Sequence, residues 1–289
     1  MSAVSEAVSQ RMTLGALADR YGWDLDPRFA RTVTVTSLAD SVDSVASGAL
    51  YLPAGSVDAG RLAEAARHGA YAAVVPHAMR GAADGADIPL LYGEPTADQL
   101  GKLASDMTGA PASVLAVFAV AARDPEEGQA AARAVATLLH MLGNPVGVIS
   151  AAGSRSLDRA LTLRHPVGVL DAQRAFAIAA EDGAAAMVVC LDDRTLAPQA
   201  LASVSVDVLG ACSLGMDARR LAERYGFRAA RSGAPVARTS DSDALAALVP
   251  PSAGGPDPRH LSLAIAMAMA AGVRRANIRN ALRVAQDLH

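Results

Sequence analysis

Apolar and polar positions predict an alternation of strands and helices along the first 110 residues. Runs that are apolar at every second position, or throughout, predict four strands: Thr32–Thr36, Ala49–Leu52, Ala70–Val75 and Pro89–Tyr92. Segments with one apolar face and capping residues predict three helices: Leu14–Tyr21, Asp58–His68 and Ala97–Met107. This order is typical of a parallel sheet covered by helices.

The alternation resumes after Thr108–Ala112, where Gly109 and Pro111 predict a linker. The pattern here predicts the strands Val114–Val120, Val146–Ser150, Ala184–Leu191 and Val204–Leu209. It also predicts a loop at Pro250–Pro258 and the helices Glu126–Leu142, Leu170–Ala180, Pro198–Ala202, Asp217–Tyr225, Leu261–Ala271 and Ala276–Leu288. We therefore expect an α/β protein of two domains, residues 1–110 and 111–289, each with a parallel or mixed sheet flanked by helices.

Composition agrees with two domains and excludes several classes of protein. The 289 residues are 52% hydrophobic, which is enough for two cores at about 150 residues per domain. Lys+Arg 26 against Asp+Glu 29 leaves a net charge of −3, so the chain lacks the basic surplus of a nucleic-acid-binding protein. Aromatic residues supply only 3%, too few for base-stacking platforms, and Lys102 is the only lysine.

We expect neither a secretion signal nor a membrane-spanning segment in this sequence. Met1–Gln10 is short and polar, and the longest apolar stretches, Val114–Ala122 and Leu261–Val273, are shorter than the ~20 residues that a spanning helix needs. Cys190 and Cys212 match no metal or redox spacing and are interpreted as reduced core thiols. These features predict a cytoplasmic protein.

Side chains that could carry chemistry are sparse. The histidines form no zinc-type pair and no G-x-S-x-G motif occurs, so we predict no catalytic residue, no metal site and no cofactor. Ser154-Arg155-Ser156 is compatible with a small anion site, although a plain loop is the favoured interpretation. Arg275, Arg279 and Arg283 line one face of the last helix, as a partner surface or a solvated face.

A run of small and acidic residues precedes the second predicted strand. Asp40-Ser41-Val42-Asp43-Ser44 leads into Gly48–Leu52, a helix and Gly69–Val75. This order resembles the N-terminal domain of the Mur ligases, most closely the MurE type, where a D-S-R turn precedes a G-D-L-F-V-A strand, a helix and G-x-x-A-V-V. Those enzymes add an amino acid to a UDP-MurNAc peptide during peptidoglycan synthesis. The resemblance implies that Ser41, Asp43 and Ser44 help to hold the UDP end of a precursor, although Val42 replaces the arginine of the turn.

The segment from Val114 to Gly143 is similar to the ATPase domain of the same family in its order of strand, loop and helix. The family's phosphate loop, G-x-x-G-T-N-G-K-T, is replaced by a degenerate one that contains Arg123, Asp124, Glu127, Gly128 and Gln129, the last three at the place of G-K-T. A phosphate loop needs glycines whose N–H groups converge on phosphate, a lysine and a Mg²⁺-binding hydroxyl. Acids at a helix N-terminus suit the helix dipole and repel a triphosphate, so we expect no ATP binding here.

Other family motifs are also altered. Asp192 and Asp193 stand where the family has its metal-binding E-V-S-S-H, and we interpret them as a solvated strand end rather than as cation ligands. Ala211–Asp217 lacks the histidine of T-N-x-x-x-D-H, and Arg259–Ala264 lacks the asparagines of the adenine-contacting H-N-x-x-N. Since the chain stops at His289, we expect the C-terminal ligase domain of the family to be absent.

Three functions are compatible with these observations. The favoured hypothesis is a catalytically inactive Mur-ligase-like protein, a pseudoenzyme that acts as a binding, regulatory or scaffold partner in peptidoglycan synthesis or cell division. Its partners would be a UDP-MurNAc-type precursor or a cell-wall or division protein, in a homo- or hetero-oligomer. The alternative is a divergent ATP-dependent UDP-MurNAc-peptide ligase. The third is an interaction module without a small ligand.

Overall fold

The computed structural model describes residues 12–53, 55, 57–83, 85–229, 234–249 and 257–287. The chain divides into two compact units, Met1–Gly109 and Ala110–His289. The polar start Met1–Gln10, most of the predicted loop Pro250–Pro258 and the final His289 lie outside the described residues. Within the described ranges, every helix is too short or too polar to cross a bilayer.

The first unit is built on a five-stranded mixed sheet with the order β2-β7-β6-β5-β4. Neighbouring strands from β4 to β7 run parallel, and β2 lies antiparallel on β7. A small antiparallel pair, β1 and β3, lies outside this sheet. The strands are β1 (Met12–Thr13), β2 (Asp24–Asp26), β3 (Thr34–Val35), β4 (Ser37–Ala39), β5 (Ala49–Tyr51), β6 (Ala70–Val75) and β7 (Leu90–Tyr92), and the helices are α1 (Leu14–Tyr21), α2 (Ala59–His68) and α3 (Ala97–Met107).

Local signals fix the helix that connects β5 to β6. The Asp58 carboxylate accepts a hydrogen bond from the Arg61 N–H at 2.8 Å and caps α2. Gly69 ends the helix at φ 107°, where a Cβ would lie 2.9 Å from the Ser47 Cα, so only glycine fits. The predicted strand Thr32–Thr36 is wrong in part, because Thr32 ends a 3₁₀ helix (Arg28–Thr32) before the short β3 begins.

The second unit contains a six-stranded sheet with the order β11-β10-β9-β12-β8-β14. The four strands β9, β12, β8 and β14 are parallel, and the hairpin of β10 and β11 continues the sheet antiparallel to β9. The strands are β8 (Ala116–Ala121), β9 (Val146–Ile149), β10 (Ser154–Ser156), β11 (Arg159–Leu161), β12 (Ala186–Leu191), β13 (Ser205–Val206), β14 (Val208–Ala211) and β15 (Arg228–Ala229). The helices are α4 (Pro125–Met141), α5 (Val169–Glu181), α6 (Ala218–Tyr225), α7 (Ser240–Ala246), α8 (Pro258–Ala270) and α9 (Arg275–Asp287).

The parallel strands of this sheet are apolar throughout because both of their faces are covered. On one face, Val120 and Val188 pack with residues of α4, α7, α8 and α9. On the other, Ala119 and Val189 pack with residues of α5 and α6. Burial on both faces explains unbroken apolar runs in place of alternation. The predicted α/β class, with parallel and mixed sheets flanked by helices, is confirmed.

Two predicted elements of the second unit are wrong. Residues 198–202 form turns instead of a helix, since Gln199 has φ 62° and its N–H bonds to the Arg224 carbonyl. The single strand predicted at Val204–Leu209 is divided into β13 and β14 at Asp207. There the Asp207 carboxylate accepts a hydrogen bond from the Val117 N–H at 2.8 Å. This N–H of the neighbouring chain segment is therefore bonded to a side chain and not to a backbone carbonyl.

Candidate functional site

The carboxyl end of β8 is where the topology of the second unit favours a ligand site. β8 leads into α4 on one face of the sheet, while its neighbours β12 and β14 lead into segments that pack on the other face. Connections that diverge to opposite faces leave a crevice at the carboxyl ends of the strands, and α/β proteins bind ligands in such crevices.

Only residues 122–124 connect β8 to α4. Asp124 caps the helix by accepting a hydrogen bond from the Glu126 N–H at 3.3 Å, and Pro125 occupies the first turn without an N–H to offer. A Cβ on Gly128 would lie 3.3 Å from the Ala122 Cβ and 3.3 Å from the Cys190 sulfur. A phosphate loop of the Walker type depends on glycines before the helix, whereas residues 122–124 include no glycine.

The five residues that the resemblance assigns to a phosphate loop lie at this end of β8, two in the connection and three in the first turns of α4. The Arg123 and Asp124 side chains are exposed, Glu127 and Gln129 are partly buried, and Gly128 is fully packed. The neighbouring Glu126 carboxylate lies 3.9 Å from the Arg194 guanidinium. The available side chains therefore place more negative than positive charge around the helix N-terminus.

Asp192 follows β12 and is only 7% exposed, in contrast to the solvated strand end that the sequence suggested. Its Oδ1 accepts the N–H groups of Arg194 at 2.8 Å and Thr195 at 2.9 Å. Its Oδ2 accepts the Thr195 hydroxyl at 2.8 Å and the Cys190 thiol at 3.0 Å. Both carboxylate oxygens of Asp192 thus accept hydrogen bonds from within the protein, so they are poorly suited to bind a cation.

Asp193, the next residue, is exposed and belongs to a surface ion pair. The Arg224 guanidinium bonds to its carboxylate and holds the pKa of Asp193 below the ordinary value. The Tyr225 hydroxyl donates to the same carboxylate at 2.9 Å, while burial raises the pKa of this tyrosine. In the described part of the chain no three His, Cys, Asp or Glu residues are grouped as a metal would require.

The segment that stands for the adenine-contacting motif begins α8. Asp257 caps this helix through the Arg259 N–H at 2.8 Å and pairs with the Arg259 guanidinium at 2.8 Å. The His260 Nε2 is buried and has no hydrogen-bond partner among the described residues. The Arg259 guanidinium holds the pKa of Asp257 at about 2.

In the first unit, Ser41, Asp43 and Ser44 lie together in a 3₁₀ turn (Val42–Ser44) that follows β4. The Ser41 hydroxyl donates to the Ser44 hydroxyl at 3.0 Å, and the Ser44 hydroxyl donates to the Ser41 carbonyl at 2.8 Å. These hydroxyls cap the turn, and Asp43 is exposed beside them. A ligand at this turn would contact the Asp43 side chain and the solvent-exposed parts of Ser41 and Ser44.

Residues 154–156 form β10 and not the plain loop that the sequence favoured. The Ser154 hydroxyl accepts a hydrogen bond from the Ser150 N–H at 3.1 Å, and the Ser156 hydroxyl donates one to the Asp182 carboxylate at 2.5 Å. Both hydroxyls therefore form hydrogen bonds within the protein. Arg155, between them, is exposed and lines a cleft of about 320 Å³ that also includes Gln129. The sequence pointed to Arg155 but gave no signal for the cleft, which arises from packing of the hairpin beside α4.

No protein-family model matches the sequence, and neither does any curated protein. Among solved structures, the chain is similar to MurF from Acinetobacter baumannii, with a TM-score of 0.54 and 14% identity over 95% of this chain and 68% of that one. A UDP-N-acetylmuramoyl-L-alanyl-D-glutamate–2,6-diaminopimelate ligase gives a TM-score of 0.46 with 15% identity over 71% of this chain and 42% of that ligase. The likeness to MurF confirms a Mur-ligase-like fold, as the sequence resemblance predicted.

Proposed function

We propose that this chain is a catalytically inactive relative of the Mur ligases that binds a UDP-MurNAc-type precursor, or a protein of cell-wall synthesis or division, without using ATP. The observation that carries the proposal is the three-residue connection between β8 and α4. It contains no glycine, so it lacks the backbone geometry with which a phosphate loop surrounds phosphate oxygens.

Three further features support a site without ATP chemistry. Residues 110–289 contain no lysine that could neutralise β- and γ-phosphates, since Lys102 lies on α3 of the first unit, where it is paired with Asp106. The carboxylate that stands for the metal-binding position, Asp192, is occupied by four internal donors. The Asp124 carboxylate accepts a hydrogen bond from the Glu126 N–H, the first N–H of α4.

The proposed site for a precursor is the turn of Ser41, Asp43 and Ser44, which follows a parallel strand of the first unit, as the resemblance to the MurE type implies. Carboxyl ends of parallel strands are the usual ligand edge of such sheets. The Ser41 and Ser44 hydroxyls already donate their protons within the turn, so they would contact a ligand as acceptors, for example of the uracil N–H.

An assay of ADP release tests the inactive assignment. The protein is incubated with ATP, Mg²⁺ and one of two substrate pairs: UDP-N-acetylmuramoyl-L-alanyl-D-glutamate with diaminopimelate, or UDP-N-acetylmuramoylalanyl-D-glutamyl-2,6-diaminopimelate with D-alanyl-D-alanine. MurF and its own substrates serve in parallel as the positive control. We expect no ADP above background. Release that depends on both the precursor and the amino acid would overturn the proposal and identify a divergent ligase.

Binding of the precursor is tested separately by thermal unfolding. A ligand at 100 times its dissociation constant stabilises the folded state by about 2.7 kcal/mol, so occupation of the site raises the melting temperature. We expect a rise with UDP-N-acetylmuramoyl-L-alanyl-D-glutamate. An unchanged melting temperature would contradict the precursor part of the proposal and favour an interaction module.

A further inference from the structure

A cleft in the second unit lies between α4 and the β10–β11 hairpin. It has a volume of about 320 Å³, and its lining includes Gln129 and Arg133 of α4 and Arg155 of β10. A second cleft of about 540 Å³ adjoins it, shares Arg155 and Asp158, and follows α4 as far as His140. Volumes of this size are typical of small-molecule sites.

The two arginines of the smaller cleft are both unpaired among the described residues. Arg133 and Arg155 are exposed, and among the described residues neither guanidinium has a hydrogen-bond or ion-pair partner. Arg159, on the other strand of the same hairpin, is instead paired with Asp182 at 2.8 Å. The cleft therefore contains two guanidinium groups whose donors are directed to no protein acceptor.

The rest of the lining leaves these guanidinium groups as the main free donors. The Ser154 hydroxyl accepts the Ser150 N–H and donates to the Ser150 carbonyl, each at 3.1 Å. The Ser150 hydroxyl accepts the Ala152 N–H at 3.2 Å. These bonds hold the β9–β10 turn in place as a wall of the cleft. Asp158 is the one acid of the lining, so two arginines leave the cleft a net charge of about +1.

We propose that this cleft binds an oxyanion, a phosphate or carboxylate group of a small ligand, between Arg133 and Arg155. Guanidinium groups match the geometry of both kinds of oxyanion through paired N–H donors. The body of the ligand would extend into the adjoining cleft, where His140 and Asn144 supply further polar contacts. The proposal does not rest on the inactive assignment, since it holds for a protein with or without ATP turnover.

Calorimetric titration of the whole chain tests the site, with inorganic pyrophosphate in one arm and succinate in the other. The arm that binds identifies the class of oxyanion. We expect Arg133→Ala and Arg155→Ala each to weaken that binding about tenfold or more, the size of a lost charged hydrogen bond. Asp158→Asn is expected to strengthen it, because the variant removes the only negative charge of the lining.

Arg123→Ala is the matched control, since Arg123 is also exposed but lies at the β8–α4 connection and outside the cleft lining. We expect it to bind as the wild type does. Because Arg133 and Arg155 are exposed, melting curves of their variants should match that of the wild type and show that any loss of affinity is local. Absence of binding in both arms, equal binding by the two cleft variants and the wild type, or loss of binding in Arg123→Ala alone would each overturn the proposal.

Discussion

Gly128 of α4 lies against Cys190 of β12, so that a Cβ at position 128 would be 3.3 Å from the cysteine sulfur. The same Cβ would be 3.3 Å from that of Ala122, which follows β8 directly. The first turn of α4 is therefore packed onto two adjacent strands. A side chain at position 128 would require Ala122 or Cys190 to shift, and a larger one would require a larger shift.

Replacement of Gly128 tests this contact. We expect Gly128→Val to lower the free energy of unfolding by about 1–3 kcal/mol, because the added methyl groups overpack the junction. Ala130→Val, at a partly exposed position of the same helix, is the control and should cost less than about 1 kcal/mol through helix propensity. Urea unfolding measures both changes. Equal losses in the two variants would show that Gly128 is not tightly packed.

Asp192 is predicted to contribute to stability more than its exposed neighbour. Asp192→Ala leaves four donors without their acceptor and is expected to cost about 2–4 kcal/mol. Asp193→Ala removes an exposed ion pair and the acceptor of the Tyr225 hydroxyl, and should cost about 1–2 kcal/mol. Urea denaturation gives both values. A larger loss in Asp193→Ala than in Asp192→Ala would contradict the structural role assigned to the buried carboxylate.

The Asp257–Arg259 pair predicts a specific pH dependence of stability. The folded pKa of Asp257, about 2, lies below its ordinary value of 3.8. The contribution of the pair is therefore complete above about pH 4 and is lost as the pH falls towards about 2. Asp257→Asn keeps a good helix cap but removes the charge. We expect its unfolding midpoint in urea to fall less over this pH range than that of the wild type, and an identical fall would refute the assignment.

The two cysteines are predicted to be unreactive in the folded protein. Burial raises the pKa of Cys212 to about 12 and also raises that of Cys190, whereas nucleophilic attack requires the thiolate. We expect slow reaction with an aromatic disulfide reagent at neutral pH, followed by rapid reaction of both thiols in urea. Rapid modification of either thiol in native buffer would contradict the burial of that group.

Helices with strong local signals were predictable from the sequence. Asp58 and Gly69 bound α2 through a cap and a positive φ, and the sequence alone placed both. The β10–β11 hairpin had no such signal, because Leu157 adopts φ 52° in its turn without the glycine that usually marks this conformation. Residues 198–202 looked helical but pair with the end of α6, a contact that lies too far along the chain for a local pattern.

The positions of the candidate residues in the fold were predictable from the sequence, but their contacts were not. The order of strand, acids and helix placed Arg123, Asp124 and Glu127 at the carboxyl end of β8, where they are found. Burial of Asp192 could not be foreseen, because it depends on the hydrogen bonds of Thr195, three residues later, and on the position of β12 beside β8. The cleft of Arg133 and Arg155 likewise depends on tertiary packing.

Direct titration with ATP and Mg²⁺ in a calorimeter tests the central claim that the connection between β8 and α4 holds no nucleoside triphosphate. MurF under the same conditions provides the positive control. We predict no saturable heat for this protein at ATP concentrations up to about 1 mM, so any affinity is weaker than about −4 kcal/mol. Saturable micromolar binding that Arg123→Ala abolishes would contradict the account.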